Sequence, residues 1–204
     1  NSSLDYVVMR NFEYLPENRF SKEHGDIDFL VKDLDQAVFI TNAQRLYKKR
    51  YKINVEGKDV LIDFEHVGDG SYDQKWQNNI LKKKILLKNS FYIPEIEDYF
   101  YSLIYHILVH KTYIEIDYPE KIKEIYKKLS FYDLTKCNFD NYLKFLEKFL
   151  LINTYQITKP KDPSFFFDEK MLNYKIDIEN FSTMNLKNIE PYLVNEWKNN
   201  SGFI

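Results

Sequence analysis

The sequence predicts an α+β fold, with a small mixed β-sheet and flanking helices first and a mainly helical half after it. Three observations carry this. Short β-branched runs alternate with polar, proline- or glycine-broken stretches up to about residue 90. From Pro94 onward apolar residues recur at three- and four-residue spacing. Hydrophobic content of 44% at a mean hydropathy of −0.51 is that of a globular chain, neither disordered nor membranous. The pattern divides residues 1–90, an α+β domain, from residues 91–204, a mainly helical domain packed on it.

Tyr6–Met9 is a short apolar run and predicts the first strand. Arg10–His24, polar and broken by Pro16, predicts a loop with at most one helical turn. Ile27–Val31 is the second strand. Asp33 or Asp35 can cap a helix running to about Tyr47, with Leu34, Val38, Phe39 and Leu46 on its inner face. Tyr51–Val55 and Val60–Phe64 flank Glu56-Gly57-Lys58, a hairpin signal. Gly68-Asp69-Gly70 breaks the chain before a helix carrying Trp76, Ile80 and Leu81, after which the pattern turns helical. Long helices are expected from Pro94 to about Lys111, from Pro119 to about Leu129 and over Phe139–Leu151. Lys159–Asp168 reads as a loop, and Pro191–Lys198 as a short final helix.

Composition narrows the chemistry. Five glycines, Gly25, Gly57, Gly68, Gly70 and Gly202, allow neither GxGxxG nor GxxxxGK[ST], which excludes the two commonest glycine-built phosphate cradles. Lys plus Arg at 29 against Asp plus Glu at 31 argues against a nucleic-acid partner, which demands a basic face. A lone Cys137 cannot form an internal disulfide and predicts a reducing, cytoplasmic setting. No apolar run is long enough to insert into a membrane. The chain opens at Asn1 rather than Met, as a piece of a larger polypeptide would.

The most informative stretch is His24-Gly25-Asp26-Ile27-Asp28-Phe29-Leu30-Val31. In a strand Asp26 and Asp28 share a face, about 7 Å apart, where they can bridge hard divalent cations such as Mg²⁺. The plainer alternative is two acidic residues flanking a strand end. Burying carboxylates at the start of an apolar strand is costly unless something neutralises them. A second apolar strand carries Asp63, with Glu65 on the same face, and a third carboxylate is what a two-metal site for phosphoryl or nucleotidyl transfer requires.

The order of strand, loop, D-h-D, helix and a strand bearing a third Asp resembles the nucleotidyltransferase fold of the DNA polymerase β superfamily. It looks most like a minimal group associated with polysaccharide and other glycan biosynthesis. The matching residues are Tyr6-Val7-Val8-Met9-Arg10-Asn11, Gly25-Asp26-Ile27-Asp28, Asp63-Phe64-Glu65-His66 and the helix ending Tyr105-His106-Ile107-Leu108-Val109-His110-Lys111, within residues 5–112. The resemblance implies a transferase that moves a nucleotidyl group from a nucleoside triphosphate to a hydroxyl of a sugar or glycan acceptor. It implies Mg²⁺ (or Mn²⁺) on Asp26, Asp28 and Asp63, with Asp63 or Glu65 taking the proton, and donor contacts from Arg10, Asn11, Gly25 and Lys111. The chain departs from the family where a Gly-Ser or Gly-Gly pair should follow the first strand: Arg10-Asn11 stands there. Arg10 can supply a bidentate phosphate contact instead of backbone donors.

Two alternatives remain open. A glycosyltransferase would use a D-x-D to hold a metal and a nucleotide-sugar, but in the common sugar-transferase fold the apolar strand precedes the D-x-D; here Ser21-Lys22-Glu23-His24-Gly25 precedes it. A catalytically inactive binding domain of a larger glycan-modifying protein is the other, supported by the missing Gly-Ser pair. Among other residues, His106 and His110 have zinc-pair spacing but lack the HExxH glutamate and read as packed or hydrogen-bonded histidines. His24 and His66 flank the carboxylate strands and could move a proton. Asp69 and Asp73 read as a turn and an N-cap, Trp76 as core, Cys137 as inert. Lys48–Arg50 and Lys82–Lys84 read as solvated basic runs that could guide an anionic donor.

Overall fold

The computed structural model describes residues 4–10, 12–15, 26–112, 117–129, 137–163 and 166–173. Asn1–Asn173 form one compact unit and Tyr174–Ile204 a second, which lies outside the described residues, as does the helix expected at Pro191–Lys198. The boundary expected near residue 90 falls inside the first unit.

That unit is α+β. Strands β1 (Tyr6–Arg10), β2 (Asp26–Val31), β3 (Gln44–Tyr47), β4 (Arg50–Val55) and β5 (Lys58–His66) form a mixed sheet in the order β1-β2-β5-β4-β3. Only β2 and β5 run parallel, and α1 (Leu34–Thr41) lies in the connection between them with the β3–β4 hairpin. After the sheet come α2 (Gln74–Lys83), a small hairpin of β6 (Ile85–Leu87) and β7 (Phe91–Ile93), then α3 (Ile96–Val109), α4 (Asp117–Lys128) and α5 (Phe139–Asn153). The expected strands, the hairpin at Glu56-Gly57 and the three later helices are all present.

Two expectations are corrected. The helix begun at Asp33, whose carboxylate accepts from the Gln36 N–H at 2.9 Å, ends at Thr41 rather than Tyr47. Asn42 takes a left-handed conformation (φ 51°) that caps the helix, and the next residues pair with β4 as an edge strand. Phe39 and Leu46, expected on the inner face, are therefore exposed, and Ala37 is the buried residue of this helix. The stretch after Leu81, read as helical, holds β6–β7. Lys88 and Asn89, both at positive φ (46° and 54°), make the tight turn that matches the right-handed strand twist.

The abundant aromatics are spent on packing. Trp76 is fully buried among Tyr72, Tyr105, Phe149 and Tyr155, and its indole N–H donates to Asp98 Oδ1 at 2.8 Å. A segment from Tyr155 to Lys161 straps the turn before α2: Thr158 Oγ1 donates to the Gly70 carbonyl at 3.0 Å and the Lys161 N–H to the Asp69 carbonyl at 2.7 Å. The strap explains one of the few glycines. Gly70 sits at φ +83°, and a Cβ there would lie 2.3 Å from the Lys159 carbonyl oxygen. Gly70→Ala is expected to destabilise the fold by about 2 kcal/mol, through left-handed strain and overpacking against backbone. Urea unfolding measures it; an unchanged midpoint would show that the strap does not need the glycine.

Candidate functional site

The site is set by strand register. β2 and β5 pair in parallel with Asp28 opposite Asp63 and Leu30 opposite Glu65, so Asp26, Asp28, Asp63 and Glu65 share one face of the sheet. In the antiparallel β4–β5 pair Arg50 lies opposite Asp63, which puts its side chain on that face as well. On the other side, β1 meets β2 with Arg10 opposite Asp28, after a register shift between Val8 and Arg10. That irregularity re-aims Arg10 onto the carboxylate face.

Arg10 lies at the buried end of the cluster. Its five N–H groups meet Asp28 Oδ1 (2.8 Å) and Oδ2 (3.0 Å), Glu65 Oε1 (3.2 Å), the Tyr72 hydroxyl (3.1 Å) and His106 Nδ1 (3.4 Å). The fork on Asp28 is the bidentate geometry that makes arginine–carboxylate pairs strong and directional. Lys49, just before β4, brings its ammonium to 2.9 Å from Glu65 Oε1 and to 3.6 Å from both Asp28 and Asp63. Arg50 bridges the outer pair, donating from Nε to Asp63 Oδ1 at 3.0 Å and from Nη2 to Asp26.

These pairings set the charge states. Burial alone would raise Asp28, but Arg10, with Lys49 behind it, holds its carboxyl well below the usual range. Glu65, fully buried, is likewise kept ionised against desolvation by Lys49 and Arg10. Asp26 moves the other way: burial and the negative charges of Asp28 and Asp63 outweigh Arg50 and raise it. Burial and the nearby Arg10 push His106 far down, and burial takes His110 down to about 3. Both histidines are neutral near pH 7, packed as the sequence suggested rather than poised to carry protons.

The structure thus brings together Asp26, Asp28, Asp63, Glu65 and Arg10. Lys111, at the end of α3, lies close enough to lower Asp28 electrostatically. Asn11, Gly25 and His24 lie outside the described residues. His66 sits on the opposite face of the sheet, where it lines a cleft of about 510 Å³ with Tyr51, Phe64 and Pro160; Lys49 also lines this cleft, whereas Asp26, Asp28, Asp63 and Glu65 do not. Arg10, expected on donor phosphates, has its whole guanidinium turned onto protein partners. Lys49 and Arg50, read as a solvated run, are part of the site, and Tyr72 closes its inner end.

The carboxylates suit a hard divalent cation in donor chemistry, being all oxygen and on adjacent strands. A carboxylate has about four acceptor sites, so Asp28 and Asp63 keep capacity beyond the bonds they make with Arg10 and Arg50. Among the described residues no three acidic, histidine or cysteine side chains converge as a ready-made metal cage; Lys49 and Arg50 stand between the carboxylates. A cation shared by Asp26 and Asp63 therefore requires Arg50, about a third exposed, to swing out. No family model, curated protein or solved structure matches the chain. Among the described residues no helix is long and apolar enough to cross a membrane.

Proposed function

We propose that the chain is a nucleotidyltransferase-like enzyme, using Mg²⁺ or Mn²⁺ to transfer a nucleotidyl group from a nucleoside triphosphate to a hydroxyl of a sugar or glycan precursor. The in-register meeting of Asp28 and Asp63 on two parallel strands, with Asp26 two residues back along β2, is the observation that carries it. Asp26, Asp28 and Asp63 would hold the cation, which when bound would neutralise donor phosphate charge and polarise the bond being broken. Arg10 fixes the Asp28 carboxylate by its two-point fork and so orients it. Glu65 is sealed from solvent and tied to Arg10 and Lys49, which leaves Asp63 to accept the proton of the attacking hydroxyl. Arg50, released from the outer carboxylates, and Lys111 supply positive charge to donor phosphates.

The test is pyrophosphate release by the full chain with Mg²⁺, over a panel of nucleoside triphosphates and sugar phosphates, beside a nucleotide-sugar hydrolysis assay. Asp63→Asn is expected to lower turnover about a hundredfold or more, as loss of a general base does. Turnover at the wild-type rate in that variant would overturn the assignment, and activity on nucleotide-sugars alone would make the chain a glycosyltransferase. One observation favours a second reading, a catalytically inactive nucleotide-binding domain: Arg10, standing where the family grips phosphate, has all its donors engaged internally. Calorimetric binding of a nucleotide with no turnover would select it.

A further inference from the structure

Building on the metal-dependent function above, we infer that the Lys49 ammonium is a built-in cation filling one of the two cation positions of the carboxylate cluster, so that the site takes a single divalent ion. Three carboxylates from two strands converge on Lys49 Nζ: Glu65 at 2.9 Å, Asp28 at 3.6 Å and Asp63 at 3.6 Å. An ammonium is a compact point charge, and here it stands where oxygen ligands from different strands meet, as they would around a metal. Glu65 makes the requirement for that charge specific. It is 0% exposed, water cannot solvate it, and among the described residues its Oε2 has no hydrogen-bond partner. Arg10 serves Glu65 with one N–H and spends two on Asp28. Without Lys49, Asp28 and Glu65 would share the single positive charge of Arg10 and Asp63 would be left to Arg50, which Asp26 shares, a deficit a second divalent ion could fill.

Lys49 also differs from Arg50 in exposure and partners. Arg50 binds the outer pair, Asp26 and Asp63, and its side chain is 31% exposed; Lys49 binds inward and is 19% exposed. Arg50 is therefore the cation that a metal displaces, and Lys49 the one that stays. The ammonium is a positioning group: it sets how many ions the carboxylates accept and keeps Asp28 and Asp63 together.

Mn²⁺ binding to the full chain, read by calorimetry and by the electron paramagnetic resonance signal of free Mn²⁺, tests this without any substrate. The wild type is expected to bind one Mn²⁺, Lys49→Gln two, and Lys49→Arg one. Two ions on the wild type, or one on both wild type and Lys49→Gln, would overturn the role of Lys49 and leave the metal-dependent function standing. No Mn²⁺ on any of the three proteins would overturn that function as well. Should Lys49→Gln fail to fold, Lys49→Ala, which also removes the ammonium, takes its place with the same expected and overturning counts.

Discussion

Arg10→Met is expected to cost about 3–5 kcal/mol of folding stability, because it strands two buried carboxylates. Asp28 is 8% exposed and Glu65 0%, and both are bonded to the guanidinium. Removing one partner of a buried ion pair leaves the other charged and poorly solvated, which is worse than having neither. Arg10→Lys should fall between wild type and Arg10→Met: it keeps the charge, but an ammonium cannot reproduce a fork that reaches Asp28 twice together with Glu65, Tyr72 and His106. Adding Asp28→Asn to Arg10→Met removes one of the stranded charges and should recover part of the loss, since the two sites are in direct contact. Urea unfolding of the four proteins measures all of this. A loss below about 1 kcal/mol in Arg10→Met would show that the sheet does not depend on Arg10 to bury its carboxylates.

Acidification is the second large effect. His110 is held neutral by burial, its pKa pushed down to about 3, against 6.5 for an unperturbed histidine. Between those values the unfolded chain binds a proton that the folded one refuses, so stability falls as the pH drops below about 6.5. At about 1.4 kcal/mol per pH unit, His110 alone removes about 2 kcal/mol by pH 5 and about 3 kcal/mol by pH 4. His106, lowered by burial and Arg10, acts in the same direction. Asp28 and Glu65, lowered by their cations, add to the loss once the pH falls through the ordinary carboxylate range. Asp26 and Asp98, raised chiefly by burial, act oppositely there. Comparing wild type with His110→Phe isolates the histidine, because the carboxylates are common to both and Tyr72 and Tyr105 already pack on that ring. The stability difference between the two proteins should shift by about 2 kcal/mol in favour of the variant from pH 7 to pH 5. A flat difference over that range would mean that His110 titrates alike in the folded and unfolded chain.

The α+β class, four of the five strands of the sheet (all but the edge strand β3) and the later helices were legible because each is specified locally. β-branched runs, Asp33 and Asp73 as caps and the Glu56-Gly57 turn act within a few residues of themselves. The short-range failures were local too. Leu46 and Tyr47 fell at helical spacing from Val38 and Phe39, and nothing in periodicity reveals that Asn42 stops the helix. Part of the site was also within reach. A two-residue turn at Glu56-Gly57 pairs Val55 with Lys58, and counting back along the hairpin puts Arg50 opposite Asp63. Arg50 could therefore have been placed beside the carboxylates by register alone; Lys49, one residue before the strand, falls by alternation on the Phe64 side, and only the structure brings its ammonium to Glu65.

What the sequence by itself determined is which groups can carry charge on the carboxylate face: Asp26 and Asp28 alternate on one strand, Asp63 and Glu65 on another, and strand pleating leaves each pair on one side. What only the tertiary structure decided is which cation each one meets. The pairing of Arg10 with Asp28 depends on a register irregularity in β1, on the antiparallel contact of strands that are not adjacent in sequence, and on Tyr72 and His106 arriving from beyond the sheet. Those contacts join residues 18 to 96 positions apart. Local spacing carries no trace of them, because the low dielectric that makes each partner matter exists only after the chain has closed around it.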